Sequence, residues 1–146
     1  MARILAFDFG TKRVGIAASD PLQIIATSLG FVATPTVYDW IKTYLQQETV
    51  EKFVVGLPLN PGYAESEVLS PIRAFATKLQ SLYPNIPLCY CDERFTSKIA
   101  EHTIRQSGVN KKTRQQKGLT DTISANLILQ TYMQNPAMAI KPENLK

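Results

Sequence analysis

Three carboxylates in the sequence stand at the ends of predicted elements, where one site could collect them. Asp8 closes a short apolar run, Glu93 follows another, and Asp121 precedes a helical apolar pattern. Carboxylates that meet at one point repel each other, which raises their pKa values and destabilises the fold. A hard divalent cation relieves this repulsion, because Mg²⁺ and Mn²⁺ prefer oxygen ligands and leave positions for water and phosphate. The three residues therefore predict metal-dependent hydrolysis of a phosphodiester.

Each carboxylate also has a simpler explanation when it is taken alone. Asp8 can be a hydrogen-bonded structural group, although burying a lone charge is costly. Glu93 can pair with Arg94 or Lys98 at the surface. Asp121 can be the N-cap of a helix. The joint pattern favours catalysis, because the carboxyl ends of parallel strands meet at one edge of a sheet, where ligands bind.

Basic residues lie close to these carboxylates in the sequence. They are Lys12, Arg13, Arg94, Lys98, Lys111, Lys112, Arg114 and Lys117. Such side chains neutralise phosphates without reading the base sequence. The last four belong to residues 108–120, which contain no acidic residue, so the net charge of +4 equals the charge of this segment. A solvated loop is the simpler interpretation of a charge run, but its position before Asp121 favours contact with a polyanionic substrate.

The hydrophobic pattern predicts one α/β domain. Short apolar runs between turn residues predict five strands, at residues 4–9, 14–18, 24–33, 52–56 and 88–91. Apolar residues at helical spacing predict helices that begin near residues 36, 67, 96 and 121. The first three strands form an antiparallel meander, and strands joined by helices are parallel. We therefore expect a mixed five-stranded sheet with helices on both faces and the first strand at its centre.

Several boundaries follow from local residues. Pro71 either begins the second helix at its first turn or kinks that helix. Residues 108–120 have no apolar period and are predicted as a mobile loop, with the last helix starting at Asp121. We assign residues 1–134 to the domain and residues 135–146, which contain two prolines, to a frayed tail.

Composition excludes other classes of protein. The 146 residues suit one domain. No apolar run reaches the ~18 residues of a membrane span, and the N-terminus lacks the apolar region of a signal peptide. Cys89 and Cys91 are too few ligands for zinc, so we expect reduced core residues on one strand face. These features predict a cytoplasmic protein with no membrane partner.

Four sequence blocks occur in a characteristic order: FDFGTKRVGIA, VVGLPLN, DERFTS and Asp121-x-x-Ser124-Ala125. Together they resemble the YqgF/RuvX family of pre-16S rRNA nucleases and Holliday-junction-resolvase-like proteins, from about Ile4 to Tyr132. The resemblance implies a ribonuclease H-like fold with a five-stranded mixed sheet, which agrees with the predicted order of elements.

The resemblance assigns roles to individual residues. Asp8, Glu93 and Asp121 match the family's catalytic and metal-binding carboxylates, which implies Mg²⁺ or Mn²⁺ as the cofactor. Asp92 is adjacent, but strand alternation points it away from the face of Glu93. A second set of residues would contact nucleic acid. The small residues in it would let the backbone of the substrate approach closely. This set comprises Gly10 and Thr11 together with the basic residues named above.

The implied function is that of a hydrolase, a nuclease that processes the 5′ end of precursor 16S rRNA within pre-ribosomal particles. The alternative is a resolvase of four-way DNA junctions, which needs a symmetric dimer. The sequence is compatible with RNA and with DNA, and with a monomer or a weak homodimer.

Two further hypotheses compete with a nuclease. Asp8-x-Gly10-Thr11 followed by Gly15 also resembles the phosphate-binding hairpin of actin-like and sugar-kinase ATPases. Those proteins clamp ATP between two lobes, and this chain has the length of one. An RNA-binding assembly factor with a vestigial site is the last alternative, and the intact carboxylates argue against it.

Overall fold

The computed structural model describes residues 2–57, 65–92 and 117–141. Its strands are β1 (Arg3–Phe9), β2 (Arg13–Ser19), β3 (Ala26–Ala33), β4 (Val50–Leu57) and β5 (Leu88–Asp92). Its helices are α1 (Val37–Gln47), α2 (Glu65–Leu82) and α3 (Lys117–Gln134). Short 3₁₀ turns cover Thr34–Thr36 and Pro136–Met138. The helix predicted from near residue 96 lies outside the described residues.

The five strands form one mixed sheet in the order β3-β2-β1-β4-β5. Strand β2 is antiparallel to both β1 and β3. Strand β4 is parallel to β1 and to β5. Helix α1 connects β3 to β4, and α2 lies between β4 and β5 in the chain, because parallel neighbours need a long crossover. The predicted sheet with β1 at its centre is confirmed.

Strand alternation gives the sheet two different faces. Leu5 and Phe7 of β1 pack with α1 and α2 in the larger core. Ile4 and Ala6, which alternate with them, pack against α3 on the other side. We call the side that carries Ile4 and Ala6 the α3 face. Small buried residues such as Ala125 of α3 allow the helix to approach this face closely. Helices therefore cover both faces, as predicted.

Helix α2 decides between the two predicted positions of Pro71. It begins at Glu65, so Pro71 lies inside the helix and does not occupy its first turn. Its buried side chains are Leu69, Ile72, Phe75, Ala76 and Leu79. The apolar spacing predicted a start near residue 67, and the boundary of a helix commonly differs from such a pattern by one or two residues.

Helix α3 corrects the predicted start of the last helix. It begins at Lys117, so residues 117–120 are helical and Asp121 is neither the first residue nor the N-cap. The first N–H groups of a helix have no acceptor within it, so a polar segment without an apolar period can form the first turn. Among the side chains of α3 that the structure describes, those that pack on the sheet are Ala125, Ile128, Leu129 and Tyr132.

One residue of the segment that we predicted as a frayed tail pairs with the sheet. Ile140 pairs with Tyr90 of β5 through two backbone hydrogen bonds of 2.8 Å each. Strand β5 is at the edge of the sheet, and an edge strand has unpaired backbone groups that another segment can satisfy. Residues 135–140 are therefore part of the fold, and residues 142–146 lie outside the described part.

The two cysteines are buried free thiols, and both lie on the α3 face. Burial raises the pKa of the Cys89 thiol, so the group stays protonated and inert. Their predicted role as reduced core residues is confirmed. No helix in the described ranges combines the length and hydrophobicity of a membrane span.

Candidate active site

Asp8 lies near the carboxyl end of β1, the central strand of the sheet. Residues 4–7 before it are buried, and Asp8 itself is half-buried. It pairs with Gly15 of β2. Since side chains alternate along a strand, Asp8 belongs to the α3 face together with Ile4 and Ala6. The buried part of β1 thus anchors a carboxylate that emerges where the strand ends.

Helix α3 runs in the direction opposite to β1. Its residue Tyr132 accepts a hydrogen bond of 2.8 Å from the Lys52 ammonium group, and Lys52 pairs with Ile4 near the start of β1. The carboxyl-terminal part of α3 therefore lies beside the start of β1. The amino-terminal part of α3 must lie toward Asp8.

The position of Asp121 follows from this direction. Along the axis of α3, Asp121 is about 16 Å from Tyr132. Along β1, Asp8 is about 13 Å from Ile4. Asp121 also precedes the fully buried Ala125 by one helical turn, which places its Cα on the sheet-facing side of α3. The fold therefore brings the backbone of Asp121 to the end of the sheet that carries Asp8.

The third predicted carboxylate follows β5. Leu57 of β4 pairs with Asp92, the last residue of β5, so this strand ends at the same edge of the sheet as β4. Glu93 comes next in the sequence and lies outside the described residues. Within the described part, no group of three or more His, Cys, Asp and Glu residues could hold a metal. Asp8 is the only member of the predicted ligand set whose side chain is described.

The tight turn between β1 and β2 carries the first predicted nucleic-acid contacts. Thr11 and Lys12 are exposed there, and Arg13 begins β2. The Thr34 amide donates to the Lys12 carbonyl at 3.0 Å, and the Thr34 hydroxyl donates to the Gly10 carbonyl at 2.6 Å. These bonds hold the turn beside Asp8. Lys117 is the first residue of α3, whereas the other predicted basic contacts (Arg94, Lys98, Lys111, Lys112 and Arg114) lie outside the described residues.

Gly10 has a structural role that the sequence did not reveal. A Cβ atom at this position would lie 2.7 Å from the Arg13 carbonyl oxygen, which is closer than packed atoms approach. The turn itself thus requires glycine, independently of any substrate.

We expect Gly10→Ala to lower the free energy of unfolding by about 1–3 kcal/mol, because the turn must shift to admit the methyl group. Urea denaturation followed by circular dichroism measures this change. Thr11→Ala, at an exposed position of the same turn, is the control and should stay within about 0.5 kcal/mol of the wild type. Equal stability of Gly10→Ala and wild type would contradict the geometry of the turn.

A separate cavity of about 170 Å³ lies at the other end of the α3 face. Its lining includes Ile4, Gln23, Glu51, Lys52 and Tyr132. The hydrogen bond to Tyr132 raises the pKa of Lys52, so this ammonium group stays charged at neutral pH. Since Ile4 and Asp8 mark opposite ends of β1, the cavity is not part of the candidate active site.

The order and the directions of the strands are those of a ribonuclease H-like fold. The solved structure of Thermus thermophilus RuvC in complex with a Holliday junction substrate superposes with a TM-score of 0.58 at 15% sequence identity, covering 96% of this chain and 99% of RuvC. A second structure of Thermus thermophilus RuvC gives a TM-score of 0.55 at 12% identity. At these identities, the comparison establishes the fold.

Sequence comparison establishes the family. Residues 2–135 match the family described as "RuvX: Holliday junction resolvase", and the chain belongs to this family. A protein of Porphyromonas gingivalis is 49% identical over 136 residues, which are 93% of this chain and 99% of that protein. A protein of Bacteroides fragilis is 46% identical over 134 residues, or 92% and 97% of the two chains. Both are named "Putative pre-16S rRNA nuclease". The chain is accordingly a nuclease, a hydrolase that acts on ester bonds.

Proposed function

We propose that this nuclease hydrolyses a phosphodiester near the 5′ end of precursor 16S rRNA, within pre-ribosomal particles. The observation that carries the proposal is the half-buried Asp8 at the end of the central strand, with the backbone of Asp121 at the same end of the sheet. The names of relatives at 46–49% identity support the choice of RNA as the substrate.

Asp8, Glu93 and Asp121 would hold Mg²⁺ or Mn²⁺, which supplies Lewis acidity and activates water when it is bound. Their oxygen donors suit these hard ions. We choose Glu93 over Asp92 from the strand alternation of the sequence. Cys91, the described residue two positions before Glu93, lies on the α3 face. That face is also the face of Asp8.

The basic residues would bind the phosphates on either side of the cleaved bond. Lys12 is exposed in the turn beside Asp8, and Arg13 begins the following strand on the same face. Lys117 begins the helix that carries Asp121. Binding through phosphates fixes the position of the strand and leaves the base sequence unread.

A panel of substrates tests this proposal. The purified chain is incubated with precursor 16S rRNA, single-stranded RNA, single-stranded DNA and a four-way DNA junction, each with Mg²⁺ or Mn²⁺, and Asp8→Asn is the control. We expect the wild type to cleave the precursor rRNA and Asp8→Asn to leave it intact. Cleavage of the junction without cleavage of RNA would reject the proposal in favour of a resolvase, and sedimentation with the junction would then show a dimer.

A further inference from the structure

Phe31 is a large apolar side chain that the fold leaves in solvent. It lies on the edge strand β3, and 49% of its surface is exposed. The guanidinium carbon of Arg13 lies 5.8 Å from the centre of its ring, within the range of a cation–π contact. An exposed aromatic ring and a cation thus form one small surface, which we call the Phe31–Arg13 platform.

The sheet register places this platform on the face of Asp8. Asp8 pairs with Gly15, and Gly15 pairs with Phe31, so the three residues form one row across β1, β2 and β3. Residues in such a row point to the same face, and the Cα atoms of Asp8 and Phe31 are about 10 Å apart, or two interstrand spacings. Val32, the next residue, packs in the core on the opposite side, which is consistent with this orientation of Phe31.

A β-bulge is responsible for the orientation of Phe31. Ile16 pairs with Gly30 while Ala17 pairs with Ser28, so Leu29 is an extra residue in β3. Gly30 has a φ of +90°, a conformation that costs energy for any residue with a side chain.

If the regular pairing of Ala26, Thr27 and Ser28 continued through Leu29 without a bulge, Phe31 would pair with Val14. The Val14 side chain lies in the core on the α1 and α2 side, and Phe31 would face that side too, because a shift of one residue turns a side chain to the other face. Bulges that redirect a side chain are frequent next to active sites. The bulge here places an aromatic ring on the face of the candidate catalytic carboxylate.

We propose that the Phe31 ring stacks on a nucleobase of the substrate strand next to the cleaved phosphodiester, while Arg13 contacts a phosphate of that strand. This inference rests on the proposed function. Every base presents a π face, so stacking on an aromatic side chain strengthens binding with little dependence on sequence. A base must be unstacked to reach the ring, so the platform selects a single-stranded segment of the substrate.

Binding of a short single-stranded RNA tests the proposal. Fluorescence anisotropy is measured in the Asp8→Asn background, where the RNA stays intact. Phe31→Ala should weaken binding roughly 5- to 140-fold, the range found for loss of one stacked base. Phe31→Trp should restore it. Leu82→Ala is the matched control, because Leu82 is also 49% exposed and lies at the end of α2. This variant should bind the RNA as tightly as the parent protein, which carries Asp8→Asn alone.

The salt dependence and the RNA itself distinguish stacking from charge. Phe31→Ala should leave unchanged the slope of the logarithm of the association constant against the logarithm of the salt concentration. Arg13→Ala should reduce the magnitude of this slope by about 0.7, the value for one phosphate of a single strand. A series of RNAs, each with one abasic nucleotide at a different position, locates the stacked base. For one RNA of the series, Phe31→Ala should weaken binding no further, because the base that would stack on Phe31 is already absent.

Three results would overturn the inference. They are equal binding by Phe31→Ala and its parent, no rescue by Phe31→Trp, or a change in sedimentation that shows Phe31 to mediate contact with another copy of the protein. The outcome is separable from that of the proposed function. If the wild type cleaves precursor rRNA and Phe31→Ala binds normally, only the platform is rejected. If the wild type cleaves no substrate and Phe31→Ala still weakens binding, the platform stands without the proposed reaction.

Discussion

Asp8→Asn should reduce the rate of cleavage by at least about 1,000-fold, equivalent to ~4 kcal/mol of transition-state stabilisation, while the protein stays folded. The amide has nearly the shape of the carboxylate but carries no charge, so it is a much poorer ligand for a hard cation. Folding should persist because the buried residues of β1 that anchor the strand precede Asp8. Single-turnover rates on precursor 16S rRNA and thermal unfolding by circular dichroism measure the two effects.

Asp39→Asn is the matched control for this prediction. Asp39 is exposed in the first turn of α1, and α1 packs on the side of the sheet opposite to the α3 face. The same loss of one negative charge at this position should leave the rate of cleavage unchanged. Cleavage by Asp8→Asn at the wild-type rate would reject the catalytic role of Asp8.

Phe75→Ala should lower the free energy of unfolding by about 3–5 kcal/mol, the range for removal of a buried aromatic ring. Phe75 of α2 is 2% exposed. Its ring centre lies 5.4 Å from that of Phe7 and 4.9 Å from that of Phe9, and 5.8 Å from that of Tyr38 in α1. Its loss leaves a cavity between both helices and the strand that carries Asp8. Urea denaturation measures the change.

Phe31→Ala is the control for Phe75→Ala, because it removes the same side chain from an exposed position. It should change the free energy of unfolding by no more than about 0.5 kcal/mol. The slope of the unfolding free energy against urea should be the same in both variants, which shows that the denatured state is unaffected. A loss below about 1 kcal/mol in Phe75→Ala would contradict the packing described for the aromatic core.

The sequence predicted the sheet well because its strands have short-range signatures. The run before Gly10 and the run from Val14 are separated by only a few residues, so a hairpin was the simplest connection, and the structure confirms the antiparallel pair. The strand from Val50 follows a helix, so a parallel crossover was expected and is observed. The two cysteines one residue apart were correctly assigned to one buried strand face.

The boundaries of helices were predicted less well. An apolar period records where a helix packs, whereas the helix itself extends as far as its backbone hydrogen bonds. Helix α3 starts at Lys117, before the predicted start at Asp121, and Pro71 lies within α2. The pairing of Ile140 with Tyr90 was also missed, because it depends on which strand is left at the edge of the sheet.

By itself, the sequence determined the order of the elements, the two-sided burial of the sheet and the position of Asp8 near the end of the central strand. These properties follow from periodicity and from the cost of burying a charge, which are local. Only the tertiary structure decided that α3 runs opposite to β1 and brings Asp121 to the end that carries Asp8. It also decided that one extra residue in β3 turns Phe31 to the face of Asp8. Both depend on register and packing direction, which arise from contacts between residues far apart in the chain.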